Sequence, residues 1–180
     1  VLFRSPIESY GLIGDCQTAA LVGRDGSIDW LCWPRFDSDA CFAALLGHPS
    51  NGRWLITTQG EHPKAVSRRY RKDTLILETT FESETGKATV IDFMVPRGRS
   101  SDLIRIVRGD EGEVDMCMEL ALRFGYGATI PWVSRLPDGT LRAVAGPGWR
   151  CCARPSPSGA RISTASRCSP WPRARPCPSS

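Results

Sequence analysis

The sequence lacks the long apolar runs of membrane proteins. No stretch approaches the roughly 18 consecutive apolar residues of a membrane span, and no apolar segment follows a basic N-terminus as in a secretion signal. Histidine is nearly absent, and its two residues are too few for a histidine-based metal site or a well-supported Ser-His-Asp triad. These absences predict a cytoplasmic domain without membrane contact, bound metal or other cofactor.

Acidic residues are missing from the last part of the chain. All 19 lie before Gly148, so residues 1–148 have 17 basic groups and a net charge of −2, whereas residues 149–180 have six Arg and a net charge of +6. The formal charge of +4 for the whole chain therefore averages two different compositions. Because the larger part is net acidic, we expect no nucleic-acid partner.

Residues 149–180 contain Ser, Pro, Arg, Ala and Cys with little else, and Ile162 is their one large aliphatic residue. Such a segment buries too little apolar surface to offset the entropy of ordering, so we predict disorder. The chain's 20 Arg, three Lys and one Asn are typical of a GC-rich gene, and such a gene read in a shifted frame yields this mixture. A frameshift is the preferred hypothesis over a genuine tail or a metal- or phosphate-binding arm. It fails if neither other reading frame continues an alternating β pattern.

The remaining sequence is expected to form one domain over residues 6–148. Residues 1–5, VLFRS, resemble the translation of a sequencing adapter, and we interpret them as a non-native addition. The four Cys within the domain stand singly in apolar patterns, with no C-x-x-C pair, and are predicted to be buried free thiols. They are Cys16, Cys32, Cys41 and Cys117.

Turn signals and period-2 hydrophobic patterns alternate through this domain. Residues 17–23 and 27–33 flank Arg24-Asp25-Gly26, which predicts a β-hairpin. Residues 74–82 and 87–95 flank a second turn at 83–86. Further strands are predicted at 53–58, 65–71, 102–108, 113–124 and 140–145. The pattern predicts an all-β fold, an antiparallel β-sandwich.

A few segments depart from this alternation. One short helix is predicted within 37–47, begun by Ser38 and ended by Gly47. The glycine pairs at 11–14 and 125–127 and the tripeptide Arg108-Gly109-Asp110 are interpreted as turns, because none completes a phosphate-binding loop. The basic run 68–72 is interpreted as a solvated strand.

The segment 28–39, IDWLCWPRFDSD, combines aromatic rings and charges more densely than any other part of the sequence. Proteins bind sugars with such groups, because C–H faces stack on rings while carboxylates and guanidinium groups hold hydroxyls. The alternative is that the rings belong to the core and the charges pair with one another. The candidate residues are Trp30, Trp33, Arg35, Phe36 and Asp37.

Five motifs stand close together at the start of the domain. They are IGD at 13–15, TAALV at 18–22, DGSIDWLC at 25–32, PRFDS at 34–38 and FAALLG at 42–47. Together they strongly resemble the N-terminal region of glycoside hydrolase family 15, the bacterial glucoamylases and trehalase-like enzymes. Looser similarity extends to about residue 146.

The resemblance implies an N-terminal β-sandwich, and catalysis elsewhere. Family members hydrolyse α-glucosidic bonds with inversion, using two glutamates in a downstream barrel of paired α-helices. No residue of this chain matches those catalytic positions, so none is assigned. Family sandwiches run longer than 148 residues, which implies a truncated sandwich here.

The resemblance also implies a role for the five candidate residues. They would form the interface with the downstream catalytic domain or reach an α-glucoside substrate there. A free-standing carbohydrate-binding module that uses the surface at residues 30–37 is the alternative, and a fragment that binds nothing is a third. Preference for trehalose, maltodextrin or another glucoside stays open at this point.

Overall fold

The computed structural model describes residues 6–59, 65–98, 100–146, 149–156 and 159–163. They contain single-turn 3-10 helices at Ile7–Ser9, Ala44–Leu46 and Pro49–Asn51. The strands are β1 (Gly11–Gly14), β2 (Ala19–Val22), β3 (Ser27–Cys32), β4 (Ala40–Phe42), β5 (Arg53–Thr58), β6 (Ala65–Tyr70), β7 (Leu77–Ser83), β8 (Gly86–Met94), β9 (Asp102–Gly112), β10 (Met116–Ala121), β11 (Trp132–Arg135), β12 (Leu141–Ala145), β13 (Trp149–Ser156) and β14 (Gly159–Ser163).

The strands form two antiparallel sheets, which confirms the predicted all-β sandwich. The six-stranded sheet has the order β1-β2-β3-β5-β10, with β4 paired to β3. The eight-stranded sheet has the order β11-β12-β13-β14-β9-β8-β7-β6. Consecutive strands are mostly neighbours, as expected where hairpins connect antiparallel strands.

Both predicted hairpins are present. Strands β2 and β3 pair around the turn that contains Gly26, and β7 and β8 pair around residues 84–85. Gly26 has a φ of +85°, and a Cβ added there would lie 2.1 Å from the Ile56 carbonyl oxygen. Only glycine therefore fits where this hairpin passes the neighbouring strand β5.

The predicted helix within 37–47 is wrong. Strand β4 occupies Ala40–Phe42, and a single 3-10 turn follows at Ala44–Leu46, with Gly47 at its end. Ser38 begins no helix, since its hydroxyl accepts a hydrogen bond from the Arg35 N–H (3.3 Å). All three β4 residues are buried, so their apolar pattern does not distinguish a strand from a helix.

Two segments interpreted as turns are strands, whereas the turn at 125–127 is confirmed. Gly11–Gly14 forms β1, in which Ile13 is buried and Leu12 exposed. Arg108-Gly109-Asp110 lies inside β9, opposite β8. In both cases neighbouring strands supply backbone hydrogen bonds that outweigh the weak strand preference of glycine.

The prediction of disorder from residue 149 onward is wrong for the residues described there. Strand β13 pairs with β12, and β14 pairs with β13 and with β9, so both lie inside the eight-stranded sheet. Cys151, Cys152 and Ala153 are buried. Backbone pairing needs no large aliphatic side chains, and composition alone missed this. Residues 1–5 and 164–180 lie outside the described residues, and the frameshift stays a prediction.

The main core lies between the two sheets. Its largest apolar members are fully buried and come from both layers, as period-2 alternation predicts for facing sheets. On strand β10, which falls within the strand predicted at 113–124, the alternate residues Met116, Met118 and Leu120 pack against this core. The fully buried members are Trp54, Phe42, Phe81, Ile13, Ile28, Leu31, Leu77, Leu103, Val22 and Val90.

A buried ion pair on the eight-stranded sheet contacts the opposite layer. Arg105 on β9 and Asp92 on β8 are register partners with fully buried side chains, and Arg105 Nε lies 2.8 Å from Asp92 Oδ1. The guanidinium also donates to the carbonyl oxygens of Gly26 (2.7 Å) and Trp54 in the opposite sheet. It lies 5.3 Å from the Trp54 ring centroid. Arg105 thereby links the two layers.

The cysteine prediction holds in part. Cys32 and Cys41 are free and buried, and burial raises the pKa of both thiols. Cys16 is free but exposed, in the turn between β1 and β2. Cys117 is bonded in a disulfide, so the free-thiol prediction is wrong there.

Candidate functional site

The segment that connects β3 to β4, residues 33–39, forms an ordered loop at one end of the six-stranded sheet. The Trp33 N–H donates to the Asp39 carbonyl oxygen (3.3 Å), which closes the loop at its base. The Phe36 N–H donates to the Gln17 carbonyl oxygen (3.0 Å), which ties the tip to the turn between β1 and β2. The Trp33–Pro34 peptide bond is cis. We call this segment the 33–39 loop.

The structure separates the five candidate residues into three groups. Arg35, Phe36 and Asp37 are exposed together on the 33–39 loop. Trp33 is only 2% exposed and belongs to the main core, so its ring faces the interior. Trp30 is half-buried on β3. The core alternative is therefore correct for Trp33, whereas the three loop residues are available to a partner.

The two charges of the loop bind each other. Arg35 Nε lies 2.9 Å from Asp37 Oδ1, and Arg35 Nη2 donates to Asp37 Oδ2 (3.2 Å). The hydrogen bond from Arg35 is the main reason that the pKa of Asp37 is lowered. Phe36 between them is 63% exposed. The loop thus presents one ring flanked by a paired guanidinium and carboxylate.

A polar cluster behind the loop holds it in place. The Arg97 guanidinium donates to the Pro34 carbonyl oxygen and to Gln17 Oε1 (2.8 Å). Its Nε lies 3.2 Å from the buried Asp15 Oδ2, and the Ser101 hydroxyl donates to that same oxygen (2.6 Å). One guanidinium therefore joins the loop, the turn between β1 and β2 and the segment before β9.

Asp15 is the centre of this cluster. Its Oδ1 accepts hydrogen bonds from the backbone N–H groups of Gln17 (2.9 Å) and Thr18 (2.8 Å). Burial alone would raise the pKa of Asp15, but the Ser101 hydroxyl, these N–H groups and the charge of Arg97 together lower it. Asp15 is thus held as a carboxylate. Sequence reasoning missed its role, although it closes the motif at 13–15.

An aromatic contact lies beside β4. The Trp30 and Tyr126 rings lie with centroids 6.0 Å apart and planes tilted by 38°. Trp30 also packs on a small cluster of Cys32, Ala40 and Ala43, separate from the main core. The Tyr126 N–H donates to the Ala40 carbonyl oxygen (3.2 Å), which fixes the turn beside the strand. Sequence reasoning did not single out Tyr126.

The basic run at 68–72 is engaged within the domain. Arg69 and Arg71 both bind the buried Glu78 on β7, at 3.0 and 2.7 Å between guanidinium and carboxylate atoms. Arg68 donates to the carbonyl oxygen of Ser9 (2.7 Å), and the Tyr70 hydroxyl donates to that of Leu12 (2.9 Å). These contacts support the prediction of a strand and add internal partners that a solvated strand would not have.

Two of the buried carboxyl groups, those of Glu78 and Asp29, are candidates for a general acid. Hydrogen bonding from Arg71 is the main reason that the pKa of Glu78 is lowered, the opposite of what a general acid needs. Burial raises the pKa of Asp29, but its oxygens accept hydrogen bonds from the hydroxyls of Ser27 and Tyr10, and the residue is only 2% exposed. Neither group is arranged to protonate a leaving group in an open site.

Within the described residues, no three His, Cys, Asp or Glu side chains come together to hold a metal ion. No described helix is long and apolar enough to cross a membrane.

Comparison with known proteins gives one family and a consistent set of relatives. Residues 3–146 match the family model described as "Trehalase-like, N-terminal". The trehalase of Mycolicibacterium smegmatis is 33% identical over 172 residues, which cover 76% of this chain and 25% of that protein. Trehalase 1 of Sulfolobus acidocaldarius is 37% identical over 133 residues, covering 74% of this chain and 22% of that protein.

A third relative matches this chain with similar identity and coverage. The trehalase of Thermoplasma volcanium is 30% identical over 141 residues, covering 75% of this chain and 22% of that protein. The chain therefore spans about a quarter or less of the length of these curated relatives. No solved structure matches significantly.

Proposed function

The chain belongs to the family of trehalase-like N-terminal domains, and we propose that it serves as the non-catalytic N-terminal domain of an α-glucoside hydrolase. The observation that carries the proposal is the match of residues 3–146 to this family, within relatives several times longer. On this proposal the substrate is trehalose, since the relatives are named trehalases. The catalytic groups belong to the larger remainder of such a protein.

The geometry of the carboxylates supports a non-catalytic role. Inversion needs an acid and a base about 6.5–9.5 Å apart with space for water between them. Glu78 is held ionised by Arg69 and Arg71, and Asp29 is enclosed by hydroxyl groups. The polar groups of this domain stabilise the fold and its loops, and a helical catalytic domain supplies the reaction.

The 33–39 loop is the part of the domain that we propose to contact that catalytic domain. Arg35, Phe36 and Asp37 are exposed, and Arg97 donates a hydrogen bond to the carbonyl oxygen of the preceding Pro34. A preorganised loop loses little entropy when it docks. The carbohydrate-binding module is less well supported, because Trp33 is in the core and the two loop charges already bind each other.

The test uses a full-length trehalase relative with Arg and Asp at the positions aligned with Arg35 and Asp37. We expect Arg35→Ala or Asp37→Ala there to lower kcat/KM while the unfolding midpoint stays unchanged. Arg108→Ala is the matched control, since Arg108 and Asp110 form an ion pair at the same spacing on β9 (2.7 Å). Unchanged turnover with a lower melting temperature would contradict the proposal.

A second measurement separates the two candidate functions. The 180-residue chain is incubated with trehalose, and released glucose and tryptophan fluorescence are both followed. We expect neither glucose nor a change in fluorescence. Glucose release would overturn the non-catalytic role, whereas a saturable fluorescence change without hydrolysis would favour the binding module.

A further inference from the structure

The segment that precedes β1, residues 6–10, is attached to the domain by polar contacts. It contains a single 3-10 turn, and none of its residues is buried. The Arg68 guanidinium donates to the Ser9 carbonyl oxygen (2.7 Å), and the Tyr10 hydroxyl donates to Asp29 Oδ2 (2.8 Å). A segment with so little apolar burial opens at a lower free energy than the core does. We call these residues the 6–10 segment.

Asp29, which binds this segment, is the extra residue of a β-bulge. Neighbouring residues of β2 pair with Ile28 and Trp30 on β3, so Asp29 between them has no register partner on β2. Bulges re-aim a side chain out of the regular alternation of a strand. Asp29 is only 2% exposed, and its Oδ1 accepts a hydrogen bond from the Ser27 hydroxyl (2.5 Å). The bulge thus places a carboxyl group in an enclosed site that Tyr10 contacts.

The surroundings of Asp29 oppose its ionisation. Burial is the main cause that raises the pKa of this carboxyl group above its ordinary value of 3.8. The hydroxyl groups of Ser27 and Tyr10 donate to the carboxylate and lower its pKa, but they offset burial only in part. Hydroxyl donors satisfy the carboxylate oxygens without supplying a positive charge. The fold therefore holds a charged Asp29 at a cost in free energy.

The charged groups packed around Asp29 do not remove this cost. Asp25, in the turn between β2 and β3, raises the pKa of Asp29, whereas Arg53 on β5 lowers it. The Arg53 guanidinium binds Glu119 on β10, with 2.6 Å between Nη2 and Oε2. The Arg68 guanidinium donates to two backbone carbonyl oxygens. Both guanidinium groups are thus engaged by other acceptors, and burial decides the direction in which the pKa of Asp29 moves.

We propose that Asp29 and Tyr10 form a pH-sensitive latch, which holds the 6–10 segment while Asp29 is protonated and loosens when Asp29 loses its proton. Lifting Tyr10 admits water to the carboxyl group and removes the cost of a buried charge. The open form therefore binds the proton less tightly than the closed form does. Between pH 3.8 and the raised pKa of the closed form, each pH unit favours opening by at most about tenfold, because one proton is released.

Asp15 provides the opposite case in the same domain. Its pKa is lowered despite burial, because the Ser101 hydroxyl, two backbone N–H groups and the charge of Arg97 all favour the carboxylate. Asp15 is therefore already ionised above pH 3.8, and the 33–39 loop that its cluster holds should not respond to pH in the range where the latch does. The loop serves as an internal control for the 6–10 segment.

The test is hydrogen–deuterium exchange of the 180-residue chain from pH 4 to pH 7, with rates corrected for the intrinsic effect of pH on amide exchange. The reporter is the Tyr10 N–H, which donates to the Ile7 carbonyl oxygen (3.0 Å). We expect its protection to fall several-fold as the pH rises. The Phe36 N–H, which donates to the Gln17 carbonyl oxygen (3.0 Å), should keep the same protection throughout.

Three variants identify the groups that act. Asp29→Asn keeps the size of the side chain and removes its titration, so protection at Tyr10 should no longer depend on pH. Asp37→Asn is the matched control, since it removes a carboxylate whose side chain is 71% exposed, and the pH dependence should remain. Tyr10→Phe removes the hydroxyl donor that lowers the pKa of Asp29, so the midpoint should move to higher pH.

Several outcomes would overturn the latch. Protection at Tyr10 that is constant with pH or rises with it in the wild type would do so. The same pH dependence in Asp29→Asn as in the wild type would also do so, because another group would then be responsible. Carbon-13 NMR of the carboxyl groups in the wild type gives a check that needs no variant. A titration midpoint for Asp29 at or below 3.8 would contradict the proposal.

Discussion

Two Arg–Asp pairs in different regions of the molecule have similar contact distances and opposite surroundings. In the interior, Arg105 and Asp92 have fully buried side chains, and Arg105 links the two sheets. On the 33–39 loop, Arg35 and Asp37 have side chains that are 62% and 71% exposed. The Nε–Oδ1 distances are 2.8 and 2.9 Å, so geometry alone does not distinguish the pairs.

The difference lies in what each charge loses when its partner is removed. A buried charge without a partner has no water to solvate it, whereas an exposed charge is rehydrated at once. The interior pair is therefore a structural requirement, and the loop pair is free to exchange partners. The pair of Arg97 and Asp15 lies between these extremes, with a fully buried carboxylate and a guanidinium that is 14% exposed.

The largest effect is expected in the interior. Arg105→Met leaves Asp92 uncompensated and the Gly26 and Trp54 carbonyl oxygens without their donor, so the free energy of unfolding should fall by about 3–5 kcal/mol. Urea unfolding followed by tryptophan fluorescence measures the change. The double variant Arg105→Met with Asp92→Leu should recover part of it, since no buried charge remains. If Arg105→Met alone were as stable as the wild type, the buried pair would matter no more to stability than the exposed pair of Arg35 and Asp37.

An intermediate and pH-dependent effect is expected for Asp15→Asn. The pKa of Asp15 is lowered in the fold, so its carboxylate contributes stability fully above the ordinary value of 3.8 and loses it as the pH falls through the lower folded value. At neutral pH the variant should lose about 1–3 kcal/mol, because an amide N–H₂ cannot accept from Arg97 and Ser101.

Urea unfolding of wild type and Asp15→Asn from pH 7 to pH 2.5 measures this difference. The two curves should converge as the pH falls. Ser101→Ala is the control, since it removes one donor and leaves the charge pair intact, and its effect should be smaller. If the difference in the free energy of unfolding between the two proteins stays constant with pH, the shape of the Asp15 side chain, and not its charge, holds the 33–39 loop.

The smallest effect on stability is expected on the loop itself. Asp37→Ala should leave the urea midpoint of the 180-residue chain within error of the wild type, because both charges are exposed and water replaces the lost contact. Arg108→Ala on β9 provides the matched comparison at the same residue spacing. A clear drop in the midpoint for Asp37→Ala alone would mean that the loop pair is structural after all.

Local sequence signals predicted much of the fold and part of the site. The hairpin at Gly26 and strand β5 follow from turn chemistry and period-2 patterns, which act over a few residues. Strands β1 (GLIG) and β14 (GARIS) were missed, because glycine-containing segments become strands only when neighbouring strands supply hydrogen bonds. At the site, Phe36 is exposed and Trp33 is buried although both are rings of the segment 28–39, and packing alone separates them.

The amino-acid sequence by itself determined the all-β class, its main hairpins and the family, since these depend on local patterns and motifs. Tertiary structure decided which groups meet. Arg97 reaches Asp15 across 82 positions of the chain, and Arg105 reaches the Gly26 carbonyl across 79. Trp132 is exposed on β11, an edge strand of the eight-stranded sheet. Such contacts depend on strand order and register, which bring distant residues together and which no local pattern encodes.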